Sequence, residues 1–150
     1  VRLWSLADGT ATERAVLEVG CTPYGICFSA DGALVAVGDE NSGASVFNVA
    51  EAALVCRVGE GDTEVLRPAF HPAGDEIVVG DLGGRLRVYR LADAACVLER
   101  TFASGVSAVR FTDGAVWVVA TDGWIRRWPL AADASANARS AAAPTPLAGA

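Results

Sequence analysis

Three short apolar runs, ALVAVG at 33–38, EIVVG at 76–80 and AVWVVA at 115–120, each end in small residues. Runs of this length, rich in Val and closed by a turn signal, predict β-strands buried on both faces. Each is followed by a turn (DENSG, DLGG or TDG) and then by a segment that ends in or near an aromatic: ASVFN at 44–48, RLRVYR at 85–90 and WIRRWP at 124–129. Two more β-rich segments, ALVCRV at 53–58 and CVLERTF at 96–102, come next in their turn. The chain opens on VRLW, which carries the same aromatic ending.

This order of segments is a repeat. The aromatics Trp4, Phe47, Tyr89 and Trp128 lie 43, 42 and 39 residues apart. A second marker is the Phe of CFSADG, AFHPAGD and RFTDG; Phe28, Phe70 and Phe111 lie 42 and 41 apart. Two independent markers therefore share nearly one period. Four short strands in about 40–45 residues is the size of one propeller blade.

These motifs resemble the WD-repeat β-propeller family, whose repeats carry a Phe-Ser-Pro-Asp-Gly-like turn, a strand, an Asp-Gly turn and a strand ending in Trp-Asp. The resemblance covers residues 1 to about 130. It implies an all-β fold, a partial propeller of four-stranded antiparallel blades. The departures are consistent. Trp4-Ser5, Phe47-Asn48, Tyr89-Arg90 and Trp128-Pro129 stand where the family has Trp-Asp, and no Gly-His pair precedes the first strands. Val37, Val79 and Val119 stand where a Ser is expected in the second strand. The family's buried His-Ser-Asp-Trp network is thus given up as a unit, which is sensible because a half-satisfied buried network is worse than an apolar core. The blades are expected to be held by Val, Leu and aromatic packing.

Residues 24–58 and 65–102 are expected to form two complete blades. Residues 1–4 and 13–19 supply the last two strands of an earlier blade, and 106–128 supply three strands of a final one, with no strand candidate after residue 130. Residues 1–130 are read as the propeller segment and 131–150, rich in Ala, Ser and Pro, as a disordered tail or linker. Propellers close into rings, and this is about half of one. An open end would expose ~400 Å² of apolar face, on the order of 10 kcal/mol. The expectation is a fragment that needs blades from its parent chain or another copy, and that is oligomeric or molten when purified alone.

Composition narrows the partners. Net charge is −6, and all twelve cations are Arg. This argues against a nucleic-acid binder and against a basic membrane-surface binder. No signal peptide and no apolar run of membrane-spanning length is present, so no membrane insertion and a cytoplasmic, or cytoskeletal, setting are expected. Cys21, Cys27, Cys56 and Cys96 match no zinc or redox spacing and read as small buried hydrophobes in a reducing compartment.

A propeller binds through its loops. The connections between fourth and first strands and between second and third strands share one rim. Its candidates for partner binding are Tyr24, Glu40, Asn41, Asp62, Glu64, Arg85 and Trp124, with Thr22, Pro23, Ser42 and Thr63 beside them. Trp124 is the sharpest of these, since Trp is a frequent interface anchor. Arg85, Arg87, Arg90, Arg126 and Arg127 form a candidate phosphate stripe, set against the plainer reading of solvated strand positions. Arg127 is unusual in occupying the place of Leu3, Val46 and Val88. His71, in a hairpin turn, has no nucleophile set up with it. GEGDTE and GDE lack metal-loop spacing, and GDLGG lacks the Lys of a phosphate loop. No catalytic residue, cofactor or metal is expected.

The functional expectation is a non-catalytic scaffold for protein partners. A narrower resemblance points to the actin-interacting protein 1 family, propellers that help cofilin-type proteins dismantle actin filaments. It rests on VRLWSLADGT, FSADGALVAVGDENSGASVFNVAEA, LGGRLRVYRLADA and the polar residue before the final Trp, Arg127. It implies actin or an actin-binding protein as partner. A phosphoinositide-binding propeller using the arginines is the alternative; its Phe-Arg-Arg-Gly signature is absent, and the Arg-Arg of WIRRWP lies in a strand.

Overall fold

The computed structural model describes residues 1–112, 115–129 and the backbone of 145–146. All its regular elements are β-strands, in four antiparallel sheets. The first sheet pairs β1 (Arg2–Ala7) with β2 (Thr10–Val16). The second runs β3 (Pro23–Phe28), β4 (Leu34–Asp39), β5 (Ala44–Asn48), β6 (Ala53–Val58), each strand beside its chain neighbour. The third has the same order in β7 (Ala69–Phe70), β8 (Glu76–Gly80), β9 (Arg85–Arg90) and β10 (Cys96–Thr101). The fourth is β11 (Val106–Thr112), β12 (Ala115–Ala120), β13 (Ile125–Pro129) and β14 (Thr145–Pro146).

The repeat therefore marks blades, as expected, with local differences that have physical causes. The opening hairpin starts earlier than 13–19, because Asp8 and Gly9 both take positive φ (51° and 75°) and close a tight turn matched to strand twist. β7 is cut to two residues by Pro68, which has no N–H for a ladder. The expectation that no strand follows residue 130 is corrected. β14 pairs with β13 through Arg126↔Pro146 and Arg127↔Thr145, and a proline is tolerated there because the pairing is at a sheet edge. The rest of the expected tail, 131–144 and 147–150, lies outside the described residues.

Alternation gives every blade two unlike faces. One carries the aromatic marker: Phe28, Val35, Val37 and Phe47 in the second sheet, Phe70, Ile77, Val79 and Tyr89 in the third, Phe111, Val116, Val118 and Trp128 in the fourth. The other is smaller: Ala36, Gly38, Ala44 and Val46, then Val78, Gly80, Leu86 and Val88. The aromatic face of each blade packs on the small face of the blade before it. One cluster joins Ala36, Ala44 and Val46 to Phe70, Ile77, Val79 and Tyr89. The next joins Val78, Leu86 and Val88 to Phe111, Val116, Val118 and Trp128. Leu3 and Leu17 of the opening hairpin meet Val35, Val37 and Phe47.

Register corrects one assignment. Gly38 lies opposite Ala44, Gly80 opposite Leu86 and Val119 opposite Ile125. Val118, not Val119, is thus the counterpart of buried Val37 and Val79, and it too is fully buried. The glycines have a packing reason. A Cβ on Gly80 would stand 2.3 Å from Val106 Cγ1, and one on Gly38 would stand 2.5 Å from the Val65 carbonyl oxygen. Both contacts are with the start of the next blade, Val65 in the connection before β7 and Val106 at the head of β11.

Candidate functional site

The loops between second and third strands meet the connections between blades along one rim. Thr22 N–H donates to Glu40 Oε1 at 3.1 Å. Ser42, at φ 53°, is held in that uncommon conformation from two sides: its N–H and its Oγ both donate to the Thr63 carbonyl, at 2.6 and 2.8 Å. Its Oγ also accepts the Thr63 N–H at 3.1 Å. These bonds tie the β4–β5 loop to the connection leading into the third blade.

Below the rim lie two acids from the DENSG and DLGG turn segments. Asp39 and Asp81 are fully buried at the ends of β4 and β8. Asp39 accepts Arg57 Nη1 at 2.6 Å and the Asn41 N–H at 2.8 Å. Burial pushes its carboxyl up; the Arg57 guanidinium and the Asn41 N–H outweigh that and leave it below the ordinary carboxylate range. Asp81 accepts the Arg85 N–H at 2.9 Å, Arg85 Nε at 3.2 Å and Arg87 Nη2 at 3.3 Å. Arg87 goes further, donating to the carbonyls of Glu60 at 3.0 Å and Ser42 at 2.8 Å in the preceding blade and its outgoing connection. The expected packing of Val, Leu and aromatic side chains is present, and buried ion pairs are added to it. Carboxylate–guanidinium pairs at Asp39 and Asp81 thus stand inside the second and third blades. The recurring Gly-Asp at 38–39 and 80–81, one blade period apart, was the signal for them. In the fourth blade the matching position is Ala120, and the acid has moved to Asp122. There Arg126 Nη2 donates at 2.9 Å, the Trp124 N–H donates at 3.0 Å, and the carboxyl sits far below its ordinary value, chiefly through Arg126.

The rim candidates come together in part. Asn41, Asp62 and Trp124 are exposed on it, and Glu40, Glu64 and Arg85 are half-buried. Tyr24 is exposed as well, at the end of β3 where Pro23 pairs with Asp39. It sits at the bulge between Pro23 and Gly25 within β3, beside a pocket of about 360 Å³ shared with Val1, Ile26 and Val37. The arginine stripe is broken up: Arg87 is buried, Arg90 pairs with Asp93 at 2.8 Å, and Arg126 pairs with Asp122 and lies over the Phe102 ring. Arg127 is half-buried, in keeping with a less covered face on the last blade. His71 accepts the Ala73 N–H within its turn and stacks edge-on against Phe111, 5.1 Å between centroids. Expected burial of the cysteines is corrected too: Cys21, Cys27 and Cys56 are half-buried and Cys96 is exposed, because Cys21 lies in the β2–β3 connection, Cys56 and Cys96 on the outermost strands β6 and β10, and Cys27 on the partly uncovered β3. Among the described residues no cluster of His, Cys, Asp and Glu is arranged to hold a metal.

No family model matches the chain, and no curated protein is matched by sequence. Solved structures do match. The β-propeller domain of Myceliophteria thermophila Cps50 (Swd1) superposes with a TM-score of 0.73 over 85% of this chain and 40% of that one, at 9% identity. The WD40 repeats of RRP9 give 0.70 over 78% of this chain and 38% of that one, at 13% identity. U3-55K gives 0.71 over 78% and 39%, also at 13% identity. The chain spans about two fifths of the length of these propellers.

Proposed function

With its fold that of a WD40 β-propeller segment, we propose that this chain is a non-catalytic protein-binding scaffold that works through its loop rim. The observation that carries the reading is the way the rim is held. Ser42, Arg87 and Asp81 lock two loops to the blade connection, while Asn41, Asp62 and Trp124 remain exposed above them. A rim fixed before binding loses little conformational entropy when a partner docks. The charges favour a partner with basic residues. Glu40, Glu60, Asp62 and Glu64 line the rim, whereas the guanidiniums of Arg57 and Arg85 are committed to Asp39 and Asp81.

Affinity capture on the wild-type chain, beside a Trp124→Ala/Asp62→Lys variant, tests this. Protein partners should be retained by the first and lost from the second. Recovery of the same proteins by both would overturn the rim reading. The finer reading, actin or an actin-binding protein as partner, draws support from the sequence resemblance alone. It predicts that the chain, joined to the rest of its propeller, speeds cofilin-dependent filament loss in co-sedimentation. The phosphoinositide reading is weakened by the burial of Arg87 and the pairing of Arg90 and Arg126. Salt-sensitive liposome flotation would revive it.

A further inference from the structure

Among the described residues, Asp-Gly steps stand at three turns: 8–9, 31–32 and 122–123. All three aspartates are exposed, so access does not separate them. Their bonding does. Asp31 Oδ1 accepts the Ser29 hydroxyl at 2.6 Å and the Ala33 N–H at 3.0 Å, and the Gly32 N–H donates to the Ser29 carbonyl at 3.0 Å. Asp122 accepts Arg126 Nη2 at 2.9 Å and the Trp124 N–H at 3.0 Å, and the Gly123 N–H donates to the Ala120 carbonyl at 3.1 Å. At 8–9 neither the carboxylate nor the glycine N–H has a hydrogen-bond partner among the described residues. The turns explain the difference. β1 and β2 pair as far as Ala7↔Thr10, which leaves only Asp8 and Gly9 outside the ladder, both at positive φ. A two-residue turn of this kind is closed by its flanking residues and needs nothing from its own side chain. The other two turns are built on the carboxylate, which accepts the N–H two residues on.

We infer that Asp8 is a site of spontaneous covalent modification, the rearrangement of its peptide bond to an isoaspartyl linkage, and that the fold protects Asp31 and Asp122 from the same reaction. The Gly9 nitrogen attacks Cγ of Asp8 and gives up its proton. The protonated carboxyl gives up its hydroxyl, and the two leave as one water. The five-membered imide so formed then takes up one water. Addition at Cγ restores aspartate, whereas addition at the Asp8 main-chain carbonyl leaves the chain running through Cβ and Cγ. Nothing is oxidised or reduced, and the product has the parent's mass. Glycine favours the step because no Cβ stands beside the attacking nitrogen.

At 31–32 and 122–123 the carboxylate must first release two donors, and the glycine N–H must leave its acceptor. The Ser29 hydroxyl and the Arg126 guanidinium also hold those two carboxyls below the ordinary range, so fewer carry the proton that a departing hydroxyl needs. Conversion at Asp8 has a consequence for the fold. A main chain one carbon longer does not fit a two-residue turn matched to strand twist. The strand it releases, β1, carries Leu3 onto Val35, Val37 and Phe47. The opening sheet is loosened at the end of the blades away from the loop rim, so the rim reading stands or falls separately.

The test is incubation of the full chain at neutral pH in heavy-oxygen water, followed by trypsin. Cleavage after arginine separates Asp8 in 3–14, Asp31 in 15–57 and Asp122 in 111–126. Electron-transfer fragmentation then tells isoaspartate from aspartate at each position. Isoaspartate should build up at Asp8 at least about tenfold faster than at Asp31 or Asp122, since the bonds that restrain those two must open first. Each converted Asp8 should carry one heavy oxygen, taken up when the imide opens. In urea, with the turns gone, the three rates should converge. Asp8→Asn, which loses ammonia in place of water, should deamidate faster than the parent isomerises. Equal rates at the three sites in the folded chain would overturn the inference, as would conversion without heavy oxygen or an Asp8→Asn chain that never deamidates. A ranking that persisted unchanged in urea would overturn it too, since local sequence and not the turns would then set the rates.

Discussion

Arg87 on β9 reaches out of its own blade to the carbonyl oxygen of Ser42, with Nη2 2.8 Å away, and also contacts the buried carboxylate of Asp81 at 3.3 Å. One side chain thus neutralises an interior acid and fastens two blades at the level of the rim.

Replacing Arg87 with Ala should therefore destabilise the fold. It removes one of two guanidiniums from a buried carboxylate, Arg85 remaining, and orphans two carbonyls, a loss of about 1–3 kcal/mol by the usual cost of leaving buried acceptors unpaired. Urea unfolding followed by tryptophan fluorescence measures this. A loss under about 1 kcal/mol, the range of an exposed pair, would show that the pair is solvated in solution.

Glycine at position 80 is a spacing device. Gly80→Val puts carbon against Val106, where a Cβ alone would be 2.3 Å from the nearest atom, and should cost about 1–3 kcal/mol or more as overpacking. The reciprocal change at the matching position, Val119→Gly, meets no adjacent blade among the described residues. It should cost no more than about 1 kcal/mol of strand propensity. Equal effects in thermal unfolding would contradict the stacking order.

Acid should loosen the second blade in a defined direction. The Asp39 carboxyl is held below its ordinary value of 3.8 in the folded chain, so its contribution is present above that pH and fades as pH falls through the folded value. Unfolding midpoints should drop between about pH 5 and pH 3, and Asp39→Asn should flatten part of that drop while lowering stability at neutral pH. A midpoint in Asp39→Asn as steep in pH as the parent's would assign the acid sensitivity to other carboxylates.

The thiols should differ in reactivity. Burial pushes the Cys27 thiol up to about 12, whereas Cys96 is exposed on β10. Since the thiolate is the nucleophile, iodoacetamide near neutral pH should leave Cys27 unmodified and label Cys96 first, with Cys27 becoming reactive in urea. Mass spectrometry of the tryptic fragments reads the order directly.

Much of this architecture was legible along the chain. Phe28, Phe70 and Phe111 mark the blades, and the turns after residues 38, 80 and 120 mark the hairpins, because short-range alternation and turn chemistry act within a few residues. The rim was legible as a set of loops. That Tyr24 belongs to the start of β3 was not legible, since the bulge there depends on pairing with β4. Asp39, Asp81 and Arg87 were missed as a buried network because a charged residue beside a turn ordinarily faces water. Their burial comes from the blade stacked against them.

The sequence by itself determined that four short strands recur, where they turn, and that the product is an all-β propeller segment, since each of these follows from local periodicity repeated three times. Only the tertiary structure decided which face of each blade is covered, why glycine stands at 38 and 80 but valine at 119, and which arginines are interior. Those outcomes depend on contacts between strands some 40 residues apart, and no local pattern records what a neighbouring sheet will press against.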